Sequence, residues 1–132
     1  MNGLTTDFEA LLGAARAVRE RAYAPYSKFL VGAAVRADNG AIFVGCNVEN
    51  ASYGATICAE RSAILAMVAA GQRAIASVAV FTDADTLAMP CGLCRQVISE
   101  FQRDAQLIVA NPRQRRVLAF SDLFPEPFVL DR

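Results

Sequence analysis

Residues 57–63 read Ile57-Cys58-Ala59-Glu60-Arg61-Ser62-Ala63, and an Ala-, Leu- and Met-rich run carries on to Ala70 before Gly71. That composition favours a helix from Cys58 to Ala70, with Gly71 placed to end it. The helix thus opens on a cysteine, with a glutamate two residues further on. A second stretch has a related form: Met89-Pro90-Cys91-Gly92-Leu93-Cys94-Arg95-Gln96. It predicts a helix over Cys91 to Gln102, with Pro90 just ahead of it. If the fold sets these two helix starts side by side, their cysteines converge on one point.

The elements around them point to layers. Thr6-Asp7-Phe8-Glu9 has the form of a capping box, and Phe8, Leu11, Leu12, Ala15 and Val18 follow at helical spacing. That helix is expected to end near Ala24, because Pro25 follows. Phe29 to Ala37 and Ala41 to Val48 read as antiparallel strands joined at Asp38-Asn39-Gly40. Ala74 to Thr82, Leu107 to Ala110 and Arg116 to Phe120 read as further strands, and Ser121-Asp122 as the cap of a short last helix cut off by Pro125. Strands alternating with helices of this length predict an α/β layered domain.

A chain of 132 residues suits one domain, 1–132, with one sizeable core. Hydrophobic residues make up 55%, above the roughly 45–50% of ordinary domains. The excess predicts burial between copies of the chain, hence an oligomer. Thirteen basic and thirteen acidic residues give a formal net charge of zero, which argues against a nucleic-acid backbone as partner. The small basic cluster Pro112-Arg113-Gln114-Arg115-Arg116 reads as a solvated loop before a strand. No apolar run nears the roughly 20 residues needed to cross a bilayer, so no membrane partner is expected. The first twenty residues lack the basic start, apolar block and cleavage site of a secretion signal. The expected compartment is the cytoplasm, where thiols stay reduced. Four cysteines then read as metal-binding, catalytic or buried residues rather than as disulfides.

Cys91 and Cys94 lie three apart, on one face of a helical first turn. A helix start favours thiolates through its free N–H groups and dipole. With Cys58 at the other helix start, three sulfurs can converge and leave one tetrahedral position open, the mark of catalytic rather than structural zinc. Zinc lowers the pKa of a water in that position from about 15.7 to about 7. The chain has no histidine, so a proton shuttle must be another residue, and Glu60 is the candidate. Three thiolates and Zn²⁺ sum to a charge of −1, which Arg61 and Arg95 could offset by hydrogen bonding to sulfur. Two alternatives stay open. Cys46 could be a fourth ligand of a structural zinc module, and Cys91-x-x-Cys94 alone could be a redox pair.

Cys58-Ala59-Glu60 and Pro90-Cys91-Gly92-Leu93-Cys94 resemble the ligand-x-Glu and Pro-Cys-x-x-Cys signature of the zinc deaminases. With PYSKFLVGAAV (25–35), GCNVENASYG (45–54), CAERSAI and PCGLCRQV, the chain resembles the small homotetrameric cytidine deaminases from about Ala24 to Phe101, and more loosely to its end. The resemblance implies a three-layer α/β/α sandwich on a mixed five-stranded sheet, one Zn²⁺ per subunit, and a nucleoside substrate. Cys58, Cys91 and Cys94 would hold the zinc, and Glu60 would shuttle protons between the zinc water and the pyrimidine. The Ala59 N–H would meet the attacking oxygen or the base, and Arg61 would neutralise a sulfur. Asn47 and Glu49 would bind the ribose hydroxyls, an idea their two-residue spacing on a strand permits. Phe29 would line the base pocket. The family's C-terminal aromatic ring enters a neighbouring subunit's site. Here Phe128 keeps its spacing, although Phe124 stands where a leucine is usual and Pro127 is added. Deamination of the same kind on a different base remains a further alternative.

Overall fold

Residues 31–37 and 75–82 are near-continuous runs of β-branched and small residues, buried on both faces, and those two faces sort the chain into layers. The computed structural model describes residues 2–131, and the side chains of residues 8–131. Its elements run α1 (Asn2–Arg19), β1 (Val31–Ala37), β2 (Ile42–Cys46), a 3-10 turn (Tyr53–Ala55), α2 (Ala59–Ala69), β3 (Ile75–Thr82), α3 (Gly92–Phe101), β4 (Gln102–Ala110), β5 (Arg115–Ala119) and α4 (Phe120–Leu123). The five strands form one sheet in the order β2-β1-β3-β4-β5. β3 and β4 are parallel, while β1–β2, β1–β3 and β4–β5 are antiparallel, so the sheet is mixed.

Successive strand residues point to opposite faces. Ala33, Val35, Val78, Val80, Leu107 and Val109 face α2 and α3, with Ile64, Met67 and Ile98. Ala34, Ala79, Phe81, Ile108 and Ala110 face α1, with Leu11, Leu12 and Ala15. Two buried faces account for the unbroken apolar strands and give the expected α/β/α sandwich. Small residues set the spacing of the layers. A Cβ on Gly32 would lie 1.9 Å from the Ala15 carbonyl oxygen, and one on Gly45 would lie 2.3 Å from the Ala63 nitrogen. α1 and α2 therefore rest directly on strand backbone.

The expected hairpin forms at Asp38-Asn39-Gly40. Ala37 N–H donates to Ala41 O at 2.9 Å, and Gly40 takes a left-handed φ of 91°. Elsewhere the boundaries differ from expectation, each for a physical reason. α1 begins at Asn2, so Thr6 lies inside it. A capping box permits a start, and no proline upstream prevents the helix from extending; the Thr6 side chain lies outside the described residues. α1 also ends at Arg19 rather than near Ala24. Tyr23 is captured beyond β2 instead, its N–H on Asn47 O at 2.9 Å and its carbonyl taking Glu49 N–H at 2.8 Å. Pro25 sets only an outer limit.

β4 starts at Gln102, five residues earlier than Leu107, because Gln-Arg-Asp-Ala-Gln forms an irregular strand. Pairing shifts between Ile75 and Ser77, and Asp104 turns left-handed at φ 46°, so the residues hide their strand character. α4 starts at Phe120, with Ala119 as its N-cap. Ser121 and Asp122 lie inside it instead of capping it. Burial of the Phe120 ring in the core, edge-on to Phe124 at 6.1 Å, fixes that start. Among the described residues, no helix is long and apolar enough to cross a membrane.

Candidate active site

Both cysteine-bearing helix starts lie on the face of the sheet opposite α1. Cys58 is the N-cap of α2 (φ −71°, ψ 156°), and Cys91 is the N-cap of α3 (φ −70°, ψ 174°). Both are extended residues whose carbonyls open the helix: Ser62 N–H reaches Cys58 O at 3.0 Å, and Arg95 N–H reaches Cys91 O at 2.9 Å. An N-cap side chain ordinarily accepts from its own first turn, but neither sulfur does. They face each other instead, with Sγ–Sγ at 3.9 Å. Cys94, fully buried in the first turn of α3, completes the set. The three sulfurs lie within 4.8 Å of one another.

A tetrahedral zinc with Zn–S bonds of about 2.3 Å holds its sulfurs about 3.8 Å apart. The donor set fits that ion in chemistry and in spacing. Cys46, half-buried on β2, is outside the group, so the four-cysteine arrangement does not form. Nor do Cys91 and Cys94 form a disulfide; both are free thiols.

Electrostatics favour a thiolate at Cys58. A hydrogen bond from the Cys94 thiol, then one from Arg61, holds Cys58 down at about 5. Donating that bond, together with burial, pushes Cys94 up. Arg61 Nη2 lies 3.6 Å from Cys58 Sγ and 3.2 Å from the Thr56 carbonyl oxygen. Arg95 does not share this role. Its Nε donates to Pro90 O at 2.8 Å and its Nη1 to Leu123 O at 3.4 Å. It braces the loop before Cys91 against the C-terminal segment.

Glu60 is 5% exposed. Burial raises its pKa to about 7, the nearby Cys58 charge adds to the rise, and Arg61 and a hydrogen bond with Cys94 oppose it. A carboxyl poised near neutrality beside three thiols can both take and give a proton. Ala59, buried at the start of α2, keeps a first-turn N–H with no acceptor inside the helix.

A second group of residues lies at the 23–31 and 47–56 segments. Asn47 is 9% exposed, and each end of its amide holds backbone. Its Oδ1 takes Val31 N–H at 2.8 Å, and its Nδ2 donates to Phe29 O at 2.7 Å. One Nδ2 proton and one Oδ1 lone pair stay available. The Glu49 carboxylate takes Tyr26 N–H at 2.9 Å and Ser27 N–H at 3.1 Å on Oε1, and the Ser27 hydroxyl on Oε2. These donors, led by the Ser27 hydroxyl, hold its pKa below the ordinary 4.5. Glu49, Asn50, Tyr26, Ser27, Tyr53 and Thr56 line a cavity of about 290 Å³. Sequence reasoning did not single out Tyr26 or Ser27, since nothing in Pro-Tyr-Ser reveals a distant carboxylate partner.

The Phe29 ring is 42% exposed. Phe128 is 68% exposed, its carbonyl taking Gln96 Nε2 at 3.0 Å. Phe124 packs against the core beside Phe120, so Phe128 is the C-terminal ring free to reach outward. The basic cluster is paired at the surface: Arg113 with Asp85 at 2.6 Å and Arg115 with Glu9 at 2.5 Å.

Two N-capping cysteines, a third one turn on and a buried glutamate between them make the site of a zinc-dependent hydrolytic deaminase. The chain belongs to the family described as the cytidine and deoxycytidylate deaminase zinc-binding region, whose model matches residues 5–110. It is 50% identical over 95 residues to a cytidine deaminase of Sporosarcina psychrophila, covering 72% of this chain and 70% of the relative. It is 41% identical over 125 residues to one from Mycobacterium tuberculosis, covering 95% and 92%. The structure superposes on a crystal structure of cytidine deaminase from Burkholderia pseudomallei with a TM-score of 0.86, at 46% identity over 91% of this chain and 98% of that one. For the M. tuberculosis crystal structure the TM-score is 0.80, at 40% identity over 94% and 98%.

Proposed function

We propose that this chain, as a single domain, deaminates cytidine and 2′-deoxycytidine hydrolytically, giving uridine or 2′-deoxyuridine and ammonia, in pyrimidine salvage. The carrying observation is the convergence of Cys58, Cys91 and Cys94 beside buried Glu60. The cysteines hold one zinc, which when bound supplies a water of near-neutral pKa as nucleophile. Glu60 would take a proton from the attacking water and deliver it to N3 of the base, which would make C4 electrophilic. After attack at C4, Glu60 takes the second proton from the added oxygen and passes it to the amino group, so C4=O forms as the C4–N bond breaks and ammonia leaves. One water enters and one ammonia leaves, so Glu60 ends as it began. The Ala59 N–H meets the attacking oxygen or the base, and Arg61 offsets the negative charge on Cys58.

Phe29 lines the base pocket. Asn47 and Glu49 bind the ribose hydroxyls with the capacity their backbone contacts leave over. The active form is a homotetramer in the cytoplasm, with Phe128 of each copy reaching a neighbour's site. Supporting this are the exposed apolar side chains Leu65 (58%), Leu93 (66%), Val129 (73%) and Leu130 (71%), which contacts between copies would cover. The test is loss of cytidine absorbance on mixing with the purified zinc-loaded protein, with and without a strong chelator. Chelator-sensitive conversion to uridine is expected. No conversion by protein carrying one zinc per chain would overturn the substrate assignment.

A further inference from the structure

The turn from Ala24 to Phe29 carries no regular element, yet it is closely tied. Lys28 N–H closes it on Ala24 O at 3.0 Å, and Lys28 takes a left-handed φ of 64°. That conformation is strained for a non-glycine residue, so the surrounding bonds must hold it. Ser27 stands at the centre of those bonds. Its hydroxyl donates to Glu49 Oε2 and accepts Phe29 N–H at 3.0 Å, while its own N–H donates to Glu49 Oε1 at 3.1 Å. The hydroxyl thus uses both its donor and an acceptor site. Phe29 is held at its N–H by Ser27 and at its carbonyl by Asn47. One side chain therefore links the carboxylate of Glu49 to the backbone that presents the Phe29 ring.

A glutamate at this half-exposed position has three torsions to lose on gripping a ligand. With one oxygen held by two backbone N–H groups and the other by a hydroxyl, the plane of the carboxylate is set before ligand arrives. The one remaining lone-pair site, on Oε2, then faces a defined direction. Such preorganisation appears in affinity rather than in the chemical step.

We propose that Ser27 is a positioning residue for ribose recognition: its hydroxyl orients Glu49 toward the sugar hydroxyls and fixes Phe29 beside the base. The inference rests on the proposed nucleoside deamination, with Glu49 as the sugar contact. Ser27 touches neither the zinc nor the reacting carbon, so its loss is read in binding.

The experiment uses the zinc-loaded enzyme. KM and kcat are measured for cytidine, and the inhibition constant for 2′,3′-dideoxycytidine, which lacks both hydroxyls. Ser27→Ala is expected to raise KM for cytidine about tenfold, the loss of one hydrogen bond to a charged group, with kcat unchanged. The dideoxy inhibition constant should change far less, because that ligand offers Glu49 nothing to grip. Ser27→Thr keeps a hydroxyl and should restore KM. An equal loss for both ligands, an unchanged KM, or a fall confined to kcat would each overturn the proposal. If Ser27→Ala does not fold, Ser27→Gly repeats the test; failure of both would make Ser27 a folding residue and likewise overturn it. An inactive wild-type enzyme with full zinc would instead count against the deaminase reading itself.

Discussion

Glu60 shows how position sets chemistry. A glutamate in the first turn of a surface helix would titrate as any carboxylate, but α2 lies directly on β2 and buries it to 5% exposure. Its pKa near 7 follows from that burial. Glu60→Gln removes the proton carrier and leaves the sulfurs untouched. The expected outcome is one zinc per chain by metal analysis and a loss of nearly all turnover; near-wild-type turnover would exclude Glu60 as the shuttle. Glu49 is the opposite case. Its donors hold its pKa below 4.5, so the folded carboxylate stays charged where an unfolded one would protonate. Its hold on Tyr26 and Ser27 is fully present above the ordinary glutamate range and is lost as pH falls through the lowered value. Amide resonances of Tyr26 and Ser27 should titrate with a midpoint below 4.5, and a midpoint above that would contradict these bonds.

Among the elements, the seat of α2 on β2 governs the site. A Cβ at Gly45 would meet the Ala63 nitrogen at 2.3 Å and the Ala59 carbonyl oxygen at 2.7 Å. Both are backbone atoms, so the first turn of α2 would have to move, carrying Cys58, Glu60 and Arg61 with it. Gly45→Ala is expected to cost about 2 kcal/mol of stability, as overpacking does, and to weaken zinc affinity, measured by competition with a chromophoric chelator. Unchanged zinc affinity would show that α2 accommodates the methyl elsewhere. The same closeness explains why the site was legible early. Pro90 ahead of Cys91 and the helix-forming run after Cys58 mark the two helix starts in the sequence, and the fold brings the two sulfurs to 3.9 Å.

For the molecule as a whole, the proposed tetramer would cover an exposed apolar C-terminal segment. Phe128, Val129 and Leu130 are each more than two-thirds exposed at 68%, 73% and 71%, and they follow one another in the chain. Four copies of a 14.1 kDa chain come to 4 × 14.1 = 56.4 kDa. Light scattering after size exclusion should find a mass close to that. A mass near one chain would contradict both the tetramer and a site shared between copies.

Much of this was local and therefore readable. The short apolar strand runs, the Asp38-Asn39-Gly40 turn, and the helix starts after Pro90 and at Cys58 each follow from steric or hydrogen-bonding preferences within a few residues. Residue order alone thus established the layered α/β class and picked out the three cysteines that the fold brings together. The end of α1, the irregular start of β4 and the Phe120 start of α4 were decided by groups distant in sequence: Asn47 and Glu49 on Tyr23, Ile75 opposite Gln102, and the core around one ring. So too were the bonds from Ser27 to Glu49 and from Arg95 to Leu123, 22 and 28 residues apart. Such pairings depend on packing that only the assembled sheet and helices create, because a polar side chain takes whichever partner the fold presents when water is excluded.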